Sequence, residues 1–247
     1  MILEGIVICV VSIFIAILFY KQANEQFEIL QLEANRLQEL PTLYSDHAPI
    51  VVRGYTVPSL GTYAELQKRK HILQLALAPN KSLQSILSQP AELSRWTFQR
   101  ETAEFLAKES GLQIWFQQTL FPKLLPSPYT SWLYSPKTCL YPHHRGLFKT
   151  SAFQTIIMPT QGQASVNLIL QNAESYLPLQ WKERPFGSLT TQDTPLLSQI
   201  QFVEVKLKKG NILVLPPHLI VDVASDPNDV CWFLLAEVHH PISKMAS

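Results

Sequence analysis

The stretch KKGNILVLPPHLIVDV, residues 208–223, contains the strongest fold signal in the chain. Gly210 permits the positive φ of a tight turn, and the apolar run ILVL that follows is typical of a buried strand. Pro216 and Pro217 then end strand pairing. Further short apolar runs, each bounded by turn residues, occur from residue 131 to residue 238. Strands of this length and spacing predict a sandwich or barrel.

The chain upstream of these strands is richer in helical patterns. A β-branched run at residues 48–53 predicts one early strand. Helical periodicity then follows near residues 62–76, 82–87, 98–109 and 114–120. No internal repeat, low-complexity tract or linker interrupts the chain after Pro41. The sequence therefore predicts one mainly β domain over residues 41–247, with a helical first half.

The N-terminal stretch GIVICVVSIFIAILFY, residues 5–20, carries no charge. As an α-helix it would cover about 24 Å, and the residues before it bring it close to the roughly 30 Å of a bilayer core. A cleaved signal peptide would need a basic leader, whereas this leader contains Glu4 and no lysine or arginine. We therefore expect residues 1–20 to form a single transmembrane anchor in contact with membrane lipid. Lys21 and Arg36 follow it, which places the large domain on the cytosolic side of the membrane.

Residues 21–40 contain good helix formers, no glycine and no proline, and they predict a helical stalk that ends at Pro41. Its apolar residues recur at spacings of three and four over residues 27–37, in a stripe that resembles a heptad pattern. One interpretation is a short coiled coil that makes a homo-oligomer. The other is a helix that packs against its own domain, which we favour because two heptads are too few to hold a coiled coil alone.

Composition narrows the classes of function. The chain has 20 basic and 19 acidic residues and no block of like charge, so the footprint of a nucleic-acid-binding protein is absent. The three cysteines, Cys9, Cys139 and Cys231, are scattered along the sequence. They indicate neither a disulfide framework nor a zinc site, and they fit a reducing compartment.

Four segments occur in the order in which similar segments occur in the Jumonji C proteins of the cupin class. They are PIVVRG at residues 49–54, WLYSPKTCLYPHH at 132–144, the stretch 153–170 with YLP at 176–178, and residues 208–223. In that family they correspond to an early strand, the strand before the first metal ligand, a central hairpin and the segment of the distal metal ligand. The resemblance implies a double-stranded β-helix, the cupin or jelly-roll barrel, after the membrane anchor and stalk.

The same resemblance implies that the family's iron site has been lost. Such sites hold Fe(II) through a His-x-Asp/Glu pair and a distal histidine, and leave room for 2-oxoglutarate and dioxygen. His143 occupies the position of the first imidazole, but Arg145 stands at that of the carboxylate. A guanidinium does not ligate iron and repels it. Val221 stands at the position of the distal histidine, and Ala164 at that of the lysine that grips the co-substrate.

Four other residues could in principle hold a metal: His143, His144, His218 and Asp222. The two adjacent histidines point to opposite faces if their segment is a strand, so only one of them could ligate. His218 and Asp222 would share a face on a helix, but their β-branched neighbours favour a strand. Ordinary hydrogen bonding is the interpretation that we favour for all four. The sequence therefore predicts no catalytic residue, no metal and no cofactor.

Three hypotheses about function follow. The first is a membrane-anchored cupin-like module without chemistry, which has a binding or structural role toward a small ligand or a protein partner whose identity the sequence does not give. The alternative is an Fe(II)/2-oxoglutarate-dependent hydroxylase or demethylase with a rearranged metal site. The third, an assembly protein that oligomerises through the stripe at residues 27–37, is compatible with the first.

Overall fold

The structure, a computed structural model, describes residues 28–44, 48–78, 81–89, 98–125, 132–226 and 229–240, and residue 11. The strands are β1 (Leu30–Glu33), β2 (Ile50–Arg53), β3 (Ala76–Ala78), β4 (Lys81–Ser82), β5 (Ser135–Pro142), β6 (Arg145–Lys149), β7 (Gln154–Gln161), β8 (Gln163–Ile169), β9 (Phe202–Lys208), β10 (Ile212–Leu215), β11 (Ile220–Ala224) and β12 (Trp232–His239). The α-helices are α1 (Leu40–Leu43), α2 (Tyr63–Gln67), α3 (Lys70–Leu73), α4 (Leu83–Leu87), α5 (Arg100–Glu109), α6 (Leu112–Trp115) and α7 (Phe121–Leu124).

The strands form two main sheets. The larger has the order β1-β2-β10-β7-β12-β5, the smaller has the order β6-β11-β8-β9, and β3 and β4 form a separate hairpin. Every pairing in the two main sheets is antiparallel except that of β1 with β2. The predicted combination of a helical first half and a strand-rich second half is therefore confirmed at the level of secondary structure.

The last eight strands pair from the outside inward. β5 pairs with β12, β6 with β11, β7 with β10, and β8 with β9. The chain thus forms one long antiparallel double strand whose successive parts alternate between the larger and the smaller sheet. Connections of this kind bring the β5–β6, β7–β8 and β11–β12 turns to one end of the two sheets.

The two faces of the smaller sheet belong to two different apolar clusters, because successive side chains on a strand point to opposite faces. On β8, Ala164, Val166 and Leu168 belong to a large core that also contains residues of the larger sheet and of the helices. Ile169 belongs to a second cluster on the other face of the smaller sheet. The segment between β8 and β9 covers that face, where it contributes Trp181 among other apolar side chains.

The prediction of a helical stalk over residues 21–40 is wrong for the strand that the structure shows within it. Leu30–Glu33 is a strand that pairs in parallel with β2, and a 3-10 helix follows at Ala34–Glu39. Leu32 and Leu37 are only 4% exposed and lie in the main core. Pairing with β2 overrides the local helix propensity of this sequence, since the alternation of leucine with polar residues also suits a half-buried strand. The domain therefore includes residues well before the predicted boundary at Pro41.

The predicted membrane anchor lies outside the described residues, apart from residue 11. Among the residues that are described, no helix is both long and apolar enough to cross a bilayer. The anchor at residues 1–20, its lipid contact and the cytosolic position of the domain stay predictions, and Phe27 of the apolar stripe is also outside the described part. Leu37 of that stripe is buried in its own domain, which leaves little of the stripe for a coiled coil.

Candidate functional site

Val221 and Ala164, two of the positions where the resemblance would put the iron site of the Jumonji C family, lie in a packed interior. Val221 on β11 is fully buried, and it lies between Phe148 on β6 and Leu168 on β8. Ala164 on β8 is also fully buried, in the same core. Neither side chain has a lone pair to donate to a metal ion. The residues present here therefore do not fit the iron centre of that family.

Arg145 begins β6 and has an unusual environment for a charged group. Its guanidinium carbon is 5.1 Å from the ring centroid of Tyr141 and 4.9 Å from that of Phe148. Nη1 donates a hydrogen bond of 2.6 Å to the Tyr141 hydroxyl, and the buried Nε has no hydrogen-bond partner among the described residues. Within that part of the chain, no carboxylate forms an ion pair with Arg145. The side chain is half-buried, so a fixed positive charge lies at the edge of the core.

The two adjacent histidines lie in the turn between β5 and β6 and not within a strand, so the expectation of opposite strand faces does not apply. His143 has a φ of 49°, and its backbone N donates to the carbonyl of Cys231 at 2.9 Å. Its Nδ1 is 3.2 Å from the hydroxyl oxygen of Ser225, and its buried Nε2 has no hydrogen-bond partner among the described residues. Burial lowers the pKa of His143, with a further contribution from His144, whose own pKa burial also lowers.

The other two metal candidates occupy separate places. His218 is exposed in the turn between β10 and β11. Asp222 is buried on the face of β11 opposite to Val221, and it accepts hydrogen bonds of 3.2 Å from the Asn167 amide and from the backbone N of Phe186. Burial raises the pKa of this carboxyl. In the described part of the chain, no three histidine, cysteine, aspartate or glutamate side chains are arranged to hold a metal ion.

An open groove of about 700 Å³, which the sequence analysis did not predict, runs along β6. We call it the β6 groove and define it by its charged and histidine side chains: Arg145, Lys149, Glu174, Lys182, Glu183 and His218. The segment that follows the 3-10 helix Gln171–Tyr176 forms the opposite wall of the groove. This segment forms backbone hydrogen bonds with β6. Leu147 donates to the carbonyl of Arg184 and accepts from the backbone N of Glu183, each at 2.8 Å.

Gly146 allows this wall to approach β6. A Cβ at this position would overlap the backbone carbonyl of Glu183. Glycine inside a strand often marks such a close approach of another backbone, so Gly146 was the one local sign in the sequence that a second segment lies against β6. The sequence around Gly146 does not indicate which segment approaches it, because that segment lies some 37 residues later in the chain.

The histidine pair gives the domain a predicted dependence of stability on pH. Because the folded state lowers both pKa values below about 6.5, the unfolded chain binds protons first as the pH falls. The free energy of unfolding should therefore decrease as the pH falls through about 6.5, the ordinary histidine pKa, which urea titrations at a series of pH values would measure. Replacing His143 by Gln should reduce this slope. Equal slopes in the native chain and in His143→Gln would contradict the prediction.

Comparisons with known proteins do not assign this chain to a family. No protein-family model matches the sequence, and no curated protein matches it. Among solved structures, it is similar to the crystal structure of hydroquinone 1,2-dioxygenase from Sphingomonas sp. TTNP3 with 4-hydroxybenzoate bound, with 14% sequence identity and a TM-score of 0.29. The alignment covers 44% of this chain and 61% of the dioxygenase chain, which is less than two thirds of its length. A TM-score this low assigns neither a fold nor an activity to this chain.

Proposed function

We propose that this chain is a cupin-like module that acts by binding and does not catalyse Fe(II)/2-oxoglutarate chemistry. The proposal includes a double-stranded β-helix as its fold. Support comes from the pairing of β5 with β12, β6 with β11, β7 with β10 and β8 with β9, because a long double strand wound across two sheets is what that fold requires. The apolar stretch at residues 5–20 supports a membrane anchor for this module.

The observation that carries the proposal is the filling of the interior where a metal would be needed. Val221 and Ala164 are fully buried in the apolar core, and Arg145 brings a positive charge to the place of a carboxylate. A divalent cation at this position would lose its hydration shell without gaining ligands, and it would face a guanidinium. His143 offers a single buried nitrogen, which is one ligand where the chemistry needs three.

Metal analysis and turnover test the proposal. The full chain is purified in a non-ionic detergent, incubated with Fe(II) and ascorbate without oxygen, desalted, and analysed for iron by mass spectrometry. The same sample is then exposed to air, which supplies the dioxygen that the reaction consumes, and assayed for succinate formed from 2-oxoglutarate. We expect iron far below one per chain, no succinate above the protein-free background, and the same values for His143→Ala. Stoichiometric iron that His143→Ala abolishes, or succinate formation, would favour the rearranged hydroxylase or demethylase and overturn the proposal.

A further inference from the structure

We propose that the β6 groove is a binding site for an anionic small molecule, whose carboxylate or phosphate group is held by Arg145 and Lys182. The inference rests on the groove itself. It would hold whether or not the module also has catalytic activity, so it can fail or succeed separately from the proposed function.

Arg145 has no counter-ion among the described residues. Its guanidinium lies against two aromatic rings, donates one hydrogen bond to a neutral hydroxyl, and has a buried Nε without a partner among the described residues. A charge that is partly removed from water and lacks a counter-ion is unfavourable, and a bound anion would relieve that cost. Guanidinium groups also bind carboxylates and phosphates through charge-assisted hydrogen bonds that are stronger than neutral ones.

The side chains that line the groove carry a net positive charge. Lys149 is neutralised by Glu174, since its Nζ is 2.7 Å from a carboxylate oxygen. The charged residues that remain are Arg145, Lys182 and Glu183, which leave one net positive charge. A volume of about 700 Å³ is in the range of small-molecule sites, so the groove has space for an organic anion and not only for an ion.

The backbone of the groove is in an unfavourable conformation at two residues. Glu183 and His218 both line it, and their φ values are 66° and 70°. Residues other than glycine rarely adopt this left-handed region, and such strain is concentrated at binding and catalytic sites. The Glu183 backbone is fixed by its hydrogen bond to Leu147, and the His218 backbone donates to the carbonyl of Thr150 at 2.7 Å. The strained residues are thus held in place on two sides of the groove.

Calorimetric titration with two probes tests the site. Citrate and pyrophosphate are titrated separately into the full chain in non-ionic detergent, at constant ionic strength maintained with sodium chloride. The variants are Arg145→Met, which keeps the apolar stem of the side chain, and Lys182→Ala, whose side chain is exposed. Lys208→Ala is the matched control, because Lys208 is an exposed lysine on β9 that does not line the groove.

We expect saturable binding of at least one probe, and the probe that binds more tightly assigns the ligand to the carboxylate or the phosphate class. Each groove variant should weaken that binding about tenfold, and Lys208→Ala should leave it unchanged. If Arg145→Met fails to fold by circular dichroism, Lys182→Ala decides the result. Absence of saturable binding to the native chain, or equal weakening by Lys208→Ala, would overturn the inference. Iron content is measured on the same samples, so bound iron together with anion binding would overturn only the proposed function.

Discussion

A chain that begins at Pro41 should fail to form a stable domain, whereas one that begins at Glu28 should keep the stability of the full chain. The shorter chain lacks β1, and with it the buried side chains of Leu32, Leu37 and Leu40. Burying one leucine contributes about 1.5–3 kcal/mol, and whole domains are stable by only about 5–15 kcal/mol. We therefore expect most or all of the stability to be lost. Urea titrations followed by far-ultraviolet circular dichroism would measure it.

Two substitutions in the full chain provide the control for this truncation. Leu32→Asp places a charge in the core at a side chain that is 4% exposed, whereas Gln31→Asp changes its exposed neighbour on the same strand. The first should lower the free energy of unfolding by several kcal/mol, and the second should change it by less than about 0.5 kcal/mol. Cooperative unfolding of the Pro41 chain at an unchanged urea midpoint would show that β1 is not part of the stable domain.

Gly146→Ala should destabilise the domain and damage the β6 groove at the same time. The new Cβ would overlap the backbone of Glu183, so either β6 or the groove wall must move. Such overpacking costs about 1–3 kcal/mol, which in a domain of this size lowers the Tm by about 2–4 °C for each kcal/mol. Because the displaced wall carries Lys182, binding of the citrate or pyrophosphate probe should weaken as well. Thermal unfolding and calorimetry measure the two effects.

Gly187→Ala is the matched control for this prediction. Gly187 lies in the same covering segment, in the 3-10 helix Phe186–Ser188, and a Cβ there would meet no atom within 4 Å. We expect its Tm and its probe binding to remain those of the native chain. Equal Tm values for Gly146→Ala and Gly187→Ala would mean that the wall does not lie against β6 as described.

The sequence predicted the elements whose signals are local. The run ILVL after Gly210 is the strand Ile212–Leu215, because a turn residue before it and two prolines after it fix both ends. The apolar run that follows the two prolines is the strand Ile220–Ala224.

Features that depend on distant parts of the chain could not be predicted. Leu30–Glu33 has the composition of a helix, and only its pairing with β2 makes it a strand. The β6 groove exists because Glu183 and Arg184 return to Leu147, and nothing in the sequence around either segment identifies the other. The resemblance puts Arg145 at the position of a carboxylate, but its contact with two aromatic rings depends on the positions of β5 and β6.

The place of β12 has a consequence for how the chain is made. This strand is the last one described, yet it lies in the larger sheet between β5 and β7 and forms hydrogen bonds with both. Those two strands cannot be joined until residue 239 has been synthesised, so on the ribosome the edges that β5 and β7 present to β12 stay unpaired until then. Non-local pairing of this kind is slow, and incomplete sheets are prone to aggregation. Production of this protein should therefore depend on chaperones that protect the unfinished sheet.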